Sequence, residues 1–145
     1  MKKILIAAML VISGFGSMAA GKNINEKLVQ TFRESYPNAV HINWQEYLET
    51  YAVYFEVEAV KSNIIFSKDG TFVRALRYYG EEYLPYYLAA AIHGKYPKMK
   101  IHDVTEVSTP DNIEYYIKLE DDKNWVTIKL DSEANIRRMK KFRKA

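Results

Sequence analysis

The chain has 145 residues with 21 basic, 18 acidic and no cysteine side chains, and twelve tyrosines within a 14% aromatic content. Without cysteine there are no disulfides and no lipid-acceptor thiol, so an exported form must be held together by packing alone. Setting aside Lys2 and Lys3 of the N-terminal segment takes the basic count from 21 to 19 against 18 acidic residues, a net +1, which excludes the strong basic imbalance of a nucleic-acid binder.

Residues 1–19 read as a signal peptide. Lys2 and Lys3 form a positive start, Ile4 to Ile12 is uncharged and apolar, and Ser17-Met18-Ala19 offers small residues for cleavage near Ala19/Ala20. The apolar run is shorter than the ~20 residues a membrane span needs. A periplasmic or secreted location follows, with residues 20–145 as one domain; the remaining ~125 residues are enough for a single core.

That domain is the same αββββ unit written twice, over about 23–80 and 84–142. The first unit opens with a predicted helix from Asn25 to Ser35, where Ile24, Leu28 and Phe32 make one apolar stripe and Asn23 with Glu26 resembles a capping box. Tyr36-Pro37 stops it. In Tyr51–Ala59, Val53, Phe55 and Val57 point to one face and Tyr54, Glu56 and Glu58 to the other. A turn near Glu49-Thr50 predicts Trp44 opposite Phe55 and Ile42 opposite Val57, leaving Asn43, Gln45 and Tyr47 outside. Asp69-Gly70 is a hairpin signal, because glycine supplies the positive φ.

The second unit begins with a predicted helix from Leu84 to Lys95, with Pro85 in its first turn, a stripe of Leu84, Leu88, Ala91 and Ile92, and Gly94 and Pro97 at its end. Tyr96-Pro97 repeats Tyr36-Pro37 at an offset of 60. Tyr115, Ile117 and Leu119 match the parity of Val126, Ile128 and Leu130, so Tyr116, Lys118, Trp125, Thr127 and Lys129 face away from them. Ala134-Asn135 stands where the first unit has its hairpin glycine, with Asn expected at the positive φ. The final strand carries six cations between Arg137 and Lys144 and is expected to set Ile136 and Phe142 against the core.

The residues carry little catalytic chemistry. His93 reads as a surface residue near a helix end, His41 as a sheet-face or edge residue, and His102-Asp103 as a loop-start pair. No HExxH, paired-cysteine, phosphate-loop or Gly-x-Ser-x-Gly pattern occurs. The aspartates at 69, 121, 122 and 131 suit hairpin turns. No catalytic residue, metal or cofactor is expected.

The helix ending Tyr36-Pro37-Asn38-Ala39, then Trp44, the strand Tyr51-Ala52-Val53-Tyr54-Phe55-Glu56-Val57, the Lys68-Asp69-Gly70 hairpin and Leu84-Pro85 together resemble the exported bacterial PepSY-like proteins, grouped with the beta-lactamase-inhibitor-like fold. The resemblance implies an α+β fold of two αβ4 units in tandem, one antiparallel sheet with helices on one face. Its namesake grips an enzyme with its sheet, and no motif here matches that protein's contact residues.

Two helices cannot cover both faces of eight strands, so one face is expected to stay wet. The resulting expectation is a non-enzymatic module that docks a protein or peptide on that face through Tyr47, Tyr54, Glu56, Ile65, Tyr116, Lys118, Trp125, Thr127 and Lys129, inhibition being one form of such docking. The partner lies in the cell envelope, and the module is a monomer or a homodimer. The alternative is a small-ligand or enzyme site in a pocket between the units.

Overall fold

The computed structural model describes residues 23–145; the expected signal peptide lies outside the described residues. The order is α1 (Glu26–Ser35), β1 (Val40–Glu46), β2 (Thr50–Val57), β3 (Val60–Ser67), β4 (Phe72–Tyr79), a 3-10 turn (Glu81–Tyr83), α2 (Tyr86–Lys95), β5 (Lys100–Ser108), β6 (Ile113–Glu120), β7 (Asn124–Asp131) and β8 (Ile136–Arg143). The strands form one eight-stranded sheet in sequence order, with every neighbouring pair antiparallel. This is the tandem αβ4 architecture that the repeat implies.

The duplication extends to backbone geometry. Both helices end on the tyrosine before proline, Tyr36 at φ −128° and ψ 65° and Tyr96 at φ −125° and ψ 61°. Each tyrosine N–H donates into the last helical turn, to Phe32 or Ile92, and each tyrosine carbonyl accepts from the residue three further on, Ala39 or Met99. The following strand is irregular in both copies, between Val40 and Asn43 and between Ile101 and Asp103.

Both helices lie on one side of the sheet. Leu28 and Phe32 of α1 pack with Trp44, Tyr51, Val53, Phe55 and Ile64, and Leu88, Ala89 and Ile92 of α2 pack with Val104, Tyr115, Ile117, Ile128 and Leu130. The ladder Trp44–Val53–Ile64–Ala75 continues along β4 through Arg77 to Tyr79, which pairs with Val104, so the two clusters share a face. α2 is far less amphipathic than α1; its Ala89, Ala90 and Ala91 give it intrinsic helicity and let it sit close on the sheet.

Several expectations are corrected. The cap of α1 is Asn25, whose Oδ1 accepts from the Lys27 and Leu28 amides, and Asn23 takes no part in it. α2 starts at Tyr86 after Pro85 and includes Gly94; its buried stripe uses Ala89, with Ala91 only half-buried. Trp44 lies opposite Val53, not Phe55, because the β1–β2 turn runs from Tyr47 to Thr50. The β1 bulge, with His41 at φ 53°, breaks the pairing of Ile42 with Val57.

The cationic segment does form a final strand, and Ile136 packs against the core. Phe142 does not. A bulge at Thr127/Ile128 adds a residue to β8 and reverses its parity, so Phe142 pairs with Trp125 on the helix-free face and is 59% exposed. His102 and Asp103 are also not at a loop start, but inside β5.

The equivalent hairpins solve one problem with different residues. Gly70 takes φ 88°, and the same place in the second unit is held by Ala134 at φ 65°, not by Asn135. Asn135 instead donates from backbone and side chain to Asp131, whose carboxyl is pulled below the usual range, first by that side-chain bond. Asp69 plays the same part: its contacts with the Ser67 hydroxyl and the Thr71 amide lower it to about 2.

A side chain at a left-handed position costs about 1–2 kcal/mol. Gly70→Ala should therefore destabilise by roughly 1 kcal/mol, since an added Cβ meets nothing within 4 Å and only backbone strain acts. Ala134→Gly should stabilise by roughly 0.5 kcal/mol, the relief being partly offset by lost methyl packing. Urea midpoints moving in the same direction for both variants would contradict this account.

Candidate functional site

Antiparallel pairing turns the alternation of single strands into rows across the helix-free face. One row crosses from β2 to β8: Glu56, Lys61, Tyr78, Thr105, Tyr116, Lys129 and Arg137. A second runs Asn43, Tyr54, Asn63, Leu76, Val107 and Glu114, and Ile65 stands between Ala52 and Arg74. On the α2 half, Asp103, Lys118, Thr127 and Lys140 align, as do Glu120, Trp125 and Phe142.

All nine residues singled out in the sequence lie on this face, but in two stations. Tyr47, Tyr54, Glu56 and Ile65 belong to the first unit; Tyr116, Lys118, Trp125, Thr127 and Lys129 belong to the second. Tyr54 on β2 and Trp125 on β7 are five strand spacings apart, about 24 Å at the usual separation. They form a surface, not a pocket.

The first station is phenolic and uncharged at its centre. The Tyr47 hydroxyl donates to Gln45 Oε1 at 2.5 Å, and hydrogen bonding with Tyr54 holds the Tyr47 phenol above its ordinary value. Tyr47 and Tyr54 are 48% and 37% exposed, so their rings are wet. His41 sits beside them in a shallow hollow with Tyr54, Glu56, Lys61 and Tyr78.

The second station is an aromatic and ionic mosaic. Lys129 Nζ lies 2.7 Å from Glu114 Oε1 and 5.5 Å from the Tyr116 ring centre, while the Tyr116 hydroxyl donates to Glu114 at 3.1 Å. Lys144 Nζ reaches Glu120 at 2.9 Å and stands 4.5 Å from the Trp125 ring centre; Lys118 Nζ is 5.8 Å from that ring and 3.6 Å from Asp103. The His102 ring meets Trp125 edge-on at 4.9 Å and its Nδ1 contacts Glu120 at 3.0 Å. Lys144 and then His102 pull the Glu120 carboxyl down, and Lys129 does the same to Glu114. Each exposed pair is weak alone, but together they hold long side chains over aromatic rings.

Sequence reading missed His102, Asp103, Glu114, Glu120, Phe142 and Lys144. Glu114 and Glu120 share parity with Tyr116 and Lys118, so alternation alone could have found them. His102 and Phe142 were hidden by bulges, and Lys144 lies beyond its strand. In the two tyrosine pairs that flank the connection between the units, Tyr78-Tyr79 and Tyr86-Tyr87, Tyr79 is buried and Tyr78, Tyr86 and Tyr87 are exposed.

The helix side holds a different feature. Between α1 and α2 the sheet is bare, and two hollows of about 560 and 470 Å³ share Tyr36, Ile64, Ala75 and Arg77. Their floor is apolar, with Phe66 and Phe72 at one end and Val57 and Val60 at the other. Beside it Glu106 is buried and accepts from Arg77 Nη1 at 3.1 Å and from the Tyr79 hydroxyl at 2.5 Å. Burial, then the Glu106 bond, pushes the Tyr79 phenol far up. Elsewhere His93 is held by Glu81 at 2.5 Å. Among the described residues no group of three or more histidines and carboxylates is arranged to hold a metal, and no helix is long and apolar enough to cross a membrane.

Comparison with solved structures shows the fold. A DUF2874 family protein from Bacteroides ovatus superposes with a TM-score of 0.60 at 20% identity, covering 85% of this chain and 89% of that one. A BLIP-like protein from Bacteroides fragilis gives 0.60 at 17% identity over 83% and 86% of the two chains. A second DUF2874 family protein, from Bacteroides uniformis, gives 0.57 at 13% identity over 82% and 88%. No family model matches the chain, and no curated protein does.

The Glu106 network makes its own prediction. Tyr79→Phe removes one donor from a buried carboxylate while keeping the ring, and should cost about 1.5–3 kcal/mol in urea unfolding. A change below about 0.5 kcal/mol would mean that Arg77 and solvent satisfy Glu106 unaided.

Proposed function

We propose that this chain is an exported, non-enzymatic binding module that docks an envelope protein or peptide on the helix-free face of its sheet. The observation that carries the reading is the breadth of that face. Rings stand in two stations about 24 Å apart, a span that suits a protein-sized contact and exceeds a small molecule. Tyr47, Tyr54, Trp125 and Tyr116 supply large area at low entropy cost, with Ile65 adding apolar surface. Glu56, Lys118, Thr127 and Lys129 set polar and charge complementarity. Export rests on the signal-peptide pattern of residues 1–19, with cleavage near Ala19/Ala20, and residues 20–145 act as the module.

Quantitative capture from a periplasmic fraction with the wild-type chain and a Tyr54→Ala/Trp125→Ala variant tests this reading. A specific partner should fall at least tenfold with the variant, while its thermal midpoint stays within a few degrees. Equal capture by both chains would remove the face from the function; an unfolded variant would place Trp125 among the structural residues.

The groove between the helices favours a second reading: a site for an elongated, mainly apolar small molecule. Its floor is buried Ile64 with half-buried Phe66, Phe72 and Ala75, and Arg77 and Ser62 are among the polar groups that line it. Ala75→Trp would fill the middle of the groove. Binding of an environment-sensitive apolar dye should then be lost without loss of fold, and dye emission unchanged by the substitution would rule the groove out.

A further inference from the structure

The two edges of the sheet differ in charge. β1 carries a positive-φ bulge, and its Glu46 is already paired with Lys68 at 2.7 Å. β8 pairs with β7 alone among the described residues, so its outer backbone groups have no ladder partner. It is also the most cationic stretch of the chain. Arg138, Lys140 and Arg143 have no carboxylate within ion-pair distance among the described residues, whereas Lys118, Lys129 and Lys144 all do.

These free cations lie on both sides of the strand. Arg138 pairs in register with Ile128 on the helix side, and Lys140 with Thr127 on the helix-free side. Between and beyond them Met139 and Phe142 are exposed apolar positions. A strand added outside β8 would thus meet positive side chains on both of its faces and apolar ones in between. A second copy of β8 would bring like charges face to face, so self-pairing through this edge is disfavoured. A lipid surface could use the charge but has no use for an open backbone ladder.

We propose that the outer edge of β8 is a docking strand for an extended, acidic segment of another protein, which adds as a ninth strand. Backbone hydrogen bonds would supply affinity, and pairing of its carboxylates with Arg138, Lys140 and Arg143 would select it. This edge shares Lys140 and Phe142 with the rows around Trp125, but what it offers is an open backbone ladder and not a sheet face, so its partner need not be the one that docks on Tyr54 and Trp125.

The probe is a fluorescein-labelled ten-residue peptide repeating Glu-Glu-Val-Val, which as a strand puts carboxylates and apolar side chains on both of its faces, followed by anisotropy, with amide exchange read over residues 136–143. The peptide should bind and slow exchange in that segment. An Arg138→Glu/Lys140→Glu/Arg143→Glu variant should bind at least tenfold more weakly, as should the wild-type chain toward a peptide with central prolines, which cannot continue a ladder. Circular dichroism controls for folding, and Arg138→Gln/Arg143→Gln replaces the reversal if that variant unfolds. Equal binding by the substituted chain, or equal binding of the proline peptide, overturns the proposal. So does binding to phosphatidylglycerol vesicles with none to the peptide, which would assign the charge to a lipid surface.

Discussion

The pairing of β4 with β5 is the contact on which this architecture depends. Ala75 to Tyr79 run against Val104 to Ser108, and this ladder alone converts two four-stranded units into one eight-stranded sheet. The helices do not meet across it: α1 and α2 build separate hydrophobic clusters, and a groove lies between them. Across the seam, backbone hydrogen bonds and the Arg77–Glu106–Tyr79 network are joined by apolar packing, since Val60 and Tyr79 of the first unit belong to the α2 cluster. Burying a carboxylate there carries a desolvation cost that only full pairing offsets. The polar network ties β4 and β5 together in one register, because a slip would strand that charge.

A continuous sheet with helices on one side leaves its other side without a protein layer. That face is not bare. Lysine ammonium groups sit over Tyr116 and Trp125, held there by Glu114 and Glu120, while Tyr47 and Tyr54 stand largely wet at the other end. Rings covered by charged side chains stay soluble yet offer apolar area once the charges move aside. The α2 half is thus ionic and preorganised and the α1 half phenolic.

Each unit shows how a chain without cysteine gains definition from local devices. Asn25 caps one helix with its side chain, Pro85 opens the other by geometry, and Tyr36 and Tyr96 close both in one conformation. The hairpin turns are braced by Asp69 and Asp131, each accepting from amides ahead of it. Their carboxyls titrate below the ordinary range, so this bracing acts above about pH 4 and fades as acid protonates them.

Period-two alternation in β2, β6 and β7, the Tyr-Pro repeat at an offset of 60 and the Asp-Gly hairpin are local patterns, and they sufficed for the duplicated fold and for the face on which Tyr54, Tyr116 and Trp125 stand. Alternation persists only while a strand is unbroken, so it could not place His102 or Phe142, each of which follows or sits in a bulge. Nor could it foresee Ala134 at the positive φ, since hairpin register is a property of two strands. The seam between β4 and β5, the groove it leaves between the helices and the unpartnered cations of β8 emerged only in three dimensions. Each depends on which strands become neighbours and which remain edges, and that is decided by contacts between residues far apart in the chain.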